Sequence, residues 1–311
     1  MTRFKGKIVS YGIVLALSLL LVFSLGGCDG EQASVESTTF RVGSQGYAEV
    51  EILGELVKAL IEEQTPHSVE HVTGLGSAIA GHEATVSGDL DMSTSFTGTY
   101  FLGLLGQTIT DEWRDPDKVY DYVHERMLDE YNLYVMPPYG YNNTYTIAVP
   151  RAWAEENNVT TQSDLEPFAS EMILAVDQSW KDYPGQGYEE YTELYGFEFK
   201  DTPEMDFGIM YRAIDRGEVD AINCYSTDGQ LIAQDLVVLE DNLGFNPPYN
   251  GVLVVRNEML EDYPETKEVL ALLEGLIDTE QMQLLNKEVS VNERQPGEVA
   301  REFLREEGLI D

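Results

Sequence analysis

Gly140-Tyr141-Asn142-Asn143-Thr144-Tyr145-Thr146-Ile147-Ala148-Val149, closed by Pro150, lies near the middle of the 311-residue chain. Asn142, Asn143 and Thr144 carry turn chemistry, and Thr146 to Val149 is a short β-prone run. A polar turn feeding a buried strand at mid-chain predicts a crossing from one lobe into another, with the Tyr145 ring standing at the crossing. Everything before and after is arranged around it.

Upstream, Thr38 to Val42 reads as a strand. Ala48 to Glu63 reads as an amphipathic helix with Leu53, Leu56, Val57, Leu60 and Ile61 on one face. Ser68 to Val72 is a second strand, a small-residue helix runs to Val86, and Asp89 to Ser93 is a third strand. This β-α-β-α-β alternation implies a parallel sheet with helices on both faces and its ligand edge at the strand C-termini. Those ends, Gly43-Ser44-Gln45, Thr73-Gly74 and Thr94 to Thr99, are polar and glycine-rich. Residues 110 to 131 form a charged helix capped by Thr110 and Asp111, restarted at Pro116.

Beyond Tyr145 the alternation resumes, with a helix from Arg151, a capped helix at Ser163 and a strand from Met172 to Val176. Helices near Gly187 to Leu194 and Met205 to Arg216 follow, then strands at Val219 to Asn223 and Leu236 to Leu239. The loop Gly244 to Tyr249 brings the chain back. The strand Gly251 to Val255 and three helices near 265–276, 279–289 and 297–307 complete the first lobe. The expected division is 39–144 plus 250–311 for lobe one and 145–249 for lobe two, with two hinge strands between them.

At the N-terminus, Arg3, Lys5 and Lys7 precede an uncharged apolar run from Ile8 to Leu25, which stops at Leu25-Gly26-Gly27-Cys28. Small residues directly before a cysteine mark a lipoprotein signal, with residues 1–27 removed and the Cys28 thiol carrying lipid. Residues 28–38 are then a polar tether. The expected location is extracytoplasmic, on the cell surface or in the periplasm, held to the membrane by the lipid. Cys224 is the one remaining cysteine, so no disulfide framework is available within the chain.

Asp and Glu number 56 against 19 Lys and Arg, a formal net charge of -37. Phosphate-rich partners, nucleic acid and anionic membrane surfaces, are repelled by such a chain. The excess reads as an adaptation to high salt, where the Debye length falls to about 3 Å at 1 M and self-repulsion is screened. A field concentrating cationic ligands near a cleft is the second reading of the same charge.

Catalytic motifs are nearly absent. His67, His71, His82 and His124 show no metal-ligand spacing, and there is no P-loop or Gly-x-Ser-x-Gly elbow. No catalytic residue, metal or cofactor is expected. What stands out is aromatic residues in polar segments at strand ends: Phe96, Tyr145, Tyr225 and Tyr249. Any one ring alone reads as core or hinge payload. Four at corresponding edges of two lobes suit a cation, above all a quaternary ammonium, which donates no hydrogen bond and is cheap to desolvate.

Val42-Gly43-Ser44, Ile52 to Leu56, Gly74-Leu75-Gly76, Phe96 to Thr99, Asn142 to Tyr145, Leu194-Tyr195-Gly196, Tyr225 to Gly229, Leu239-Glu240-Asp241 and Pro248-Tyr249 occur in a characteristic order. In that order and spacing, from about Phe40 to Leu309, the chain resembles the substrate-binding lipoproteins of glycine betaine, carnitine and choline ABC importers. The resemblance implies an α/β, type II periplasmic-binding-protein fold of two lobes joined by two crossing strands, closing over a ligand. It implies that Phe96, Tyr145, Tyr225 and Tyr249 form an ammonium cage, that Gln45, Thr99 and Asn143 receive the other end of the ligand, and that an ABC permease is the partner of a monomeric receptor. A binding protein of the same fold for an amino acid or ectoine is the alternative.

Three departures stand out. Phe96 replaces a usual Tyr, and Thr94-Ser95 replaces the family's Pro-Glu. The segment Asp177 to Gly185 lacks a clear Phe-x-x-Arg-x-Asp-Gly pattern, whose arginine would pair with a betaine carboxylate. Gln45, Thr99 or Lys181 must then take that role.

Overall fold

The structure is a computed structural model and describes residues 37–183 and 185–311. Nine strands form two sheets among the described residues. The first has the order β2-β1-β3-β9-β4, from β1 (Thr39–Gln45), β2 (Ser68–Leu75), β3 (Met92–Phe96), β4 (Leu133–Val135) and β9 (Gly251–Arg256). The second has the order β6-β7-β5-β8, from β5 (Tyr145–Pro150), β6 (Leu174–Ala175), β7 (Ala221–Tyr225) and β8 (Leu236–Val238).

β1 pairs parallel with both β2 and β3, as the alternation demands. The sheet is nonetheless mixed, because β9 runs antiparallel between β3 and β4. A strand that returns from another sheet enters from the opposite direction, and nothing in its own sequence records that. β9 is buried on both faces: Leu253 and Val255 join the core around the helix Ala48–Gln64, while Val252 and Val254 join the one around the helix Pro116–Tyr131. β5 splits the same way, Ile147 and Val149 into one core of the second sheet and Ala148 into the other.

Several boundaries differ from the sequence expectation. The third strand begins at Met92 rather than Asp89, which puts Phe96 at the end of the strand itself. Asp111–Arg114 is a short 3-10 turn, and the long helix starts at Pro116, capped by Asp115, whose side chain accepts from Asp117 N at 3.0 Å. Thr161, not Ser163, caps the next turn, in a reciprocal capping box with Asp164. The π-helical turn Thr99–Leu104 and the short β4 carry no periodicity from which to expect them. Thr38 already accepts from Ser68 N, so the fold begins inside the expected tether. The signal segment and Cys28 lie outside the described residues.

The chain leaves the first sheet after β4 and enters the second at β5, then returns between β8 and β9. The two crossings lie side by side. Asn142 and Asn250 form an antiparallel bridge, Asn143 N donates to Tyr249 O at 2.9 Å, and Tyr249 N donates to Asn142 Oδ1 at 2.6 Å. Ser226, just past β7, binds the first crossing twice: its Oγ donates to Asn142 O at 2.7 Å and accepts from Thr144 N at 3.1 Å.

Candidate binding site

Two adjoining cavities open beside the crossings, of about 800 Å3 and about 250 Å3, and they share Asn143, Tyr225 and Tyr249. Gln45, Phe96, Thr99, Asn143, Tyr225 and Tyr249 all line the larger one. Tyr145 lines the smaller. The seven residues singled out from the sequence therefore meet at one place, although they are drawn from positions 45 to 249 of the chain.

Local register explains the rings of the second sheet. Tyr145 opens β5 and Tyr225 ends β7, and the two face each other directly in the antiparallel ladder. Their rings stack with centroids 4.7 Å apart and planes at 26°, and the Tyr225 hydroxyl donates to that of Tyr145 at 3.0 Å. Phe207 continues the row 5.1 Å from Tyr225, and Trp180 lies 6.5 Å from Tyr145. A spacing of 4.7 Å leaves no room for a cation between Tyr145 and Tyr225. The pair is one wall, offering its outer surface and edges, rather than two jaws.

Tyr249, on the second crossing, lines both cavities together with Tyr225. Its ring rests on Gly98: a Cβ built there would lie 2.7 Å from three ring carbons. Only glycine leaves that space, so Gly98 sets where the Tyr249 ring can lie. Phe96 closes the first-lobe side and is buried.

Acidic groups complete the larger cavity. Asp228 follows Tyr225 by three residues, and its Oδ2 accepts from the Tyr211 hydroxyl at 2.7 Å and from Tyr225 N at 3.3 Å. Burial pushes the Asp228 carboxyl up to about 6, against those two hydrogen bonds, and the negative charge of Glu49 adds to the rise. Glu49, in the first turn of the helix Ala48–Gln64, is only 3% exposed, and burial raises its pKa as well. Ring faces with carboxylates behind them attract a cation and repel an anion.

Sequence reasoning missed Trp180, Tyr183, Phe207, Glu49 and Gly98. Trp180 and Tyr183 stand in Asp177 to Gly185, where a missing arginine drew attention away from two rings in a polar loop. Lys181 does not line either cavity. Its Nζ donates to Thr202 O at 3.1 Å and to Glu204 Oε1 at 3.0 Å, which ties it to the neighbouring loop. An arginine does line the larger cavity, from another element: Arg212, exposed on the helix Phe207–Asp215.

Outside the site, the scattered histidines conceal one constellation. Ser44 Oγ lies 2.8 Å from His71 Nε2, and His71 Nδ1 lies 2.7 Å from Glu55 Oε1. That is the connectivity of a nucleophile, base and orienting acid. Ser44 is 1% exposed, and it is absent from the lining of the cavity that Glu55 and His71 border. No substrate carbonyl can reach it. The relay instead ties β1, β2 and the helix Ala48–Gln64 together, with His71 packed against Gly54. No group of His, Cys, Asp and Glu among the described residues is arranged to hold a metal ion.

Two sheets joined by paired crossings over an aromatic, acid-backed cleft define a solute-binding protein of the type II periplasmic fold. Residues 38–306 match the family described as the substrate-binding domain of the ABC-type glycine betaine transport system, and the chain belongs to that family. It is 33% identical over 308 residues to the carnitine transport binding protein OpuCC of Listeria monocytogenes, covering 99% of each chain. It is 32% identical to the glycine-betaine-binding protein of Pseudomonas aeruginosa, covering 89% of this chain and 90% of that one. A solved glycine betaine/carnitine/choline ABC transporter structure superposes with a TM-score of 0.84 at 31% identity, over 89% of this chain and 100% of that one. Membership makes the protein an extracytoplasmic receptor for an importer, not an enzyme. Among the described residues no helix is long and apolar enough to cross a membrane.

Proposed function

We infer that the protein captures a quaternary ammonium osmoprotectant, glycine betaine, choline or carnitine, and delivers it to an ABC permease. The observation that carries this is the aromatic row at the cleft between the sheets, with Tyr249 and Phe96 lining the larger cavity beside it. The trimethylammonium group packs against those rings, and Gln45 and Thr99 meet the polar end. Micromolar affinity requires about -8 kcal/mol. Cation-π faces at about 1–2 kcal/mol each supply a large part of it before the costs of association. Relatives named for carnitine and for glycine betaine support the same ligand class. An amino acid or ectoine finds no reason in this site for so many rings.

The receptor is a monomer, anchored through a lipid on Cys28, and its lobes divide where the paired crossings run, near 144–145 and 249–250. Calorimetric titration of residues 29–311, which include every described residue, with choline, glycine betaine and carnitine tests the ligand class. Saturable binding of at least one is expected. No heat from any of them with folded protein would refute the assignment. Globomycin-sensitive processing with label incorporated from palmitate, lost in Cys28→Ala, tests the anchor.

A further inference from the structure

Glu49 is the most deeply buried acid of the site. It stands in the first turn of the helix Ala48–Gln64, where the helix dipole favours a negative charge. Its two oxygens are used separately. Oε1 accepts from Asn143 Nδ2 at 2.9 Å, and Oε2 accepts from Asn286 Nδ2 at 3.0 Å.

A carboxylate only accepts, so it fixes which way both amides face. With each nitrogen turned to Glu49, the oxygen is the group left over. Asn143 Oδ1 and Asn286 Oδ1 are both without a protein partner among the described residues, and both residues line the larger cavity. Asn286 is only 6% exposed. An unpaired buried acceptor is costly until something donates to it or places positive charge beside it.

The same amides join the two sheets. Asn143 lies on the first crossing. Asn286 Nδ2 uses its second hydrogen on Thr227 O at 2.9 Å, in the loop after β7 of the second sheet. Beside it, Gln283 Nε2 donates to Ser226 O at 2.7 Å. Gly229 follows in contact with the backbone of the helix Thr279–Ser290, which packs into the first-lobe core.

We propose that Glu49 is the positioning residue of the ligand site: it turns the Asn143 and Asn286 amides so that their oxygens face the ligand's positive charge, and through Asn286 it couples ligand capture to closure of the two sheets. This rests on the quaternary-amine assignment above. The chemistry asks for a ligand that brings positive charge to the cavity without a competing carboxylate at these two oxygens.

Glu49→Gln is the decisive variant. A glutamine amide offers one acceptor and one donor pair, so it can satisfy one asparagine nitrogen but must force the other to flip. Titration of residues 29–311 with whichever of choline, glycine betaine and carnitine binds the wild type should give at least about tenfold weaker affinity for Glu49→Gln. Ligand-induced contraction in small-angle scattering should shrink in parallel. In an Asn143→Ala, Asn286→Ala background the same substitution should change affinity less than about twofold, because the groups through which it acts are gone. Glu49→Asp, which keeps the charge but cannot span both amides, should fall between wild type and Glu49→Gln, and it serves if the glutamine variant does not fold.

Unchanged affinity and contraction in a folded Glu49 variant would overturn the proposal while leaving the ligand assignment intact. So would a loss that is the same with and without the two asparagines, since that is the behaviour of a residue acting on the fold as a whole. A wild type that binds none of the three amines overturns both.

Discussion

The two sides of the cleft are built in different ways. On the second-sheet side the row Trp180, Tyr145, Tyr225, Phe207 is assembled within one sheet and its loops, its central pair set by the register of β5 against β7. On the other side, Glu49, Asn143 and Asn286 come from a helix, a crossing and the C-terminal region, and Asn286 also reaches Thr227 O in the loop after β7 of the second sheet. A wall made by one ladder is preformed. The arm of the network that runs from Glu49 through Asn286 to Thr227 spans both sheets, and in the proposed coupling it is this arm that responds to ligand.

The sharpest way to break this contrast is at the contact between the halves. A Cβ at Gly229 would lie 2.3 Å from Lys287 N and 2.5 Å from its Cα, both backbone atoms that cannot rotate away. Gly229→Ala should cost about 1–3 kcal/mol of closure, seen as roughly ten- to hundredfold weaker binding by calorimetry, with the ring row undisturbed. Wild-type affinity would mean that the halves need not touch there to hold a ligand.

Next in size is the wall. Tyr225→Ala removes the middle ring and the hydroxyl that donates to Tyr145, and should weaken binding at least about tenfold, or about 1.4 kcal/mol. Because the two rings act as one surface, adding Tyr145→Ala should cost less than the sum of the two single changes. Strict additivity in that double-mutant cycle would separate them into independent walls.

Smaller again is the effect of pH. The folded carboxyl of Asp228 sits above the ordinary carboxylate range, at about 6, with Tyr211, Tyr225, Cys224 and Glu49 around it. A raised folded pKa contributes stability below the unfolded value, and that contribution is lost as pH rises through about 6. A cation in the cavity favours the ionised form. Ligand affinity should therefore rise severalfold from pH 5 to pH 8, with proton release on binding near pH 6, measured by calorimetry in buffers of different ionisation enthalpy. Asp228→Asn should flatten both profiles.

The smallest effect is expected away from the cleft. Ser44→Ala breaks the Ser44-His71-Glu55 relay, and should lower stability by about 1 kcal/mol in urea unfolding without changing ligand affinity. A change in affinity alone would give the relay a part in binding.

The sequence by itself determined the alternating α/β pattern, the crossing at Tyr145 and the four rings at strand ends. Each of these is a local signal: period-two and helical burial, turn residues, and an aromatic side chain where a polar one belongs. Tertiary structure alone decided that β9 runs antiparallel between β3 and β4, and that Tyr145 and Tyr225 form one wall. It decided that Gly98 makes room for the Tyr249 ring. It also made Glu49 the shared acceptor of two amides, 94 and 237 residues away along the chain. In sequence Glu49 is one of 56 acids, in a first turn where acids are common. Its burial and its partners depend on which distant segments close over it, and a side chain's own chemistry carries no record of that.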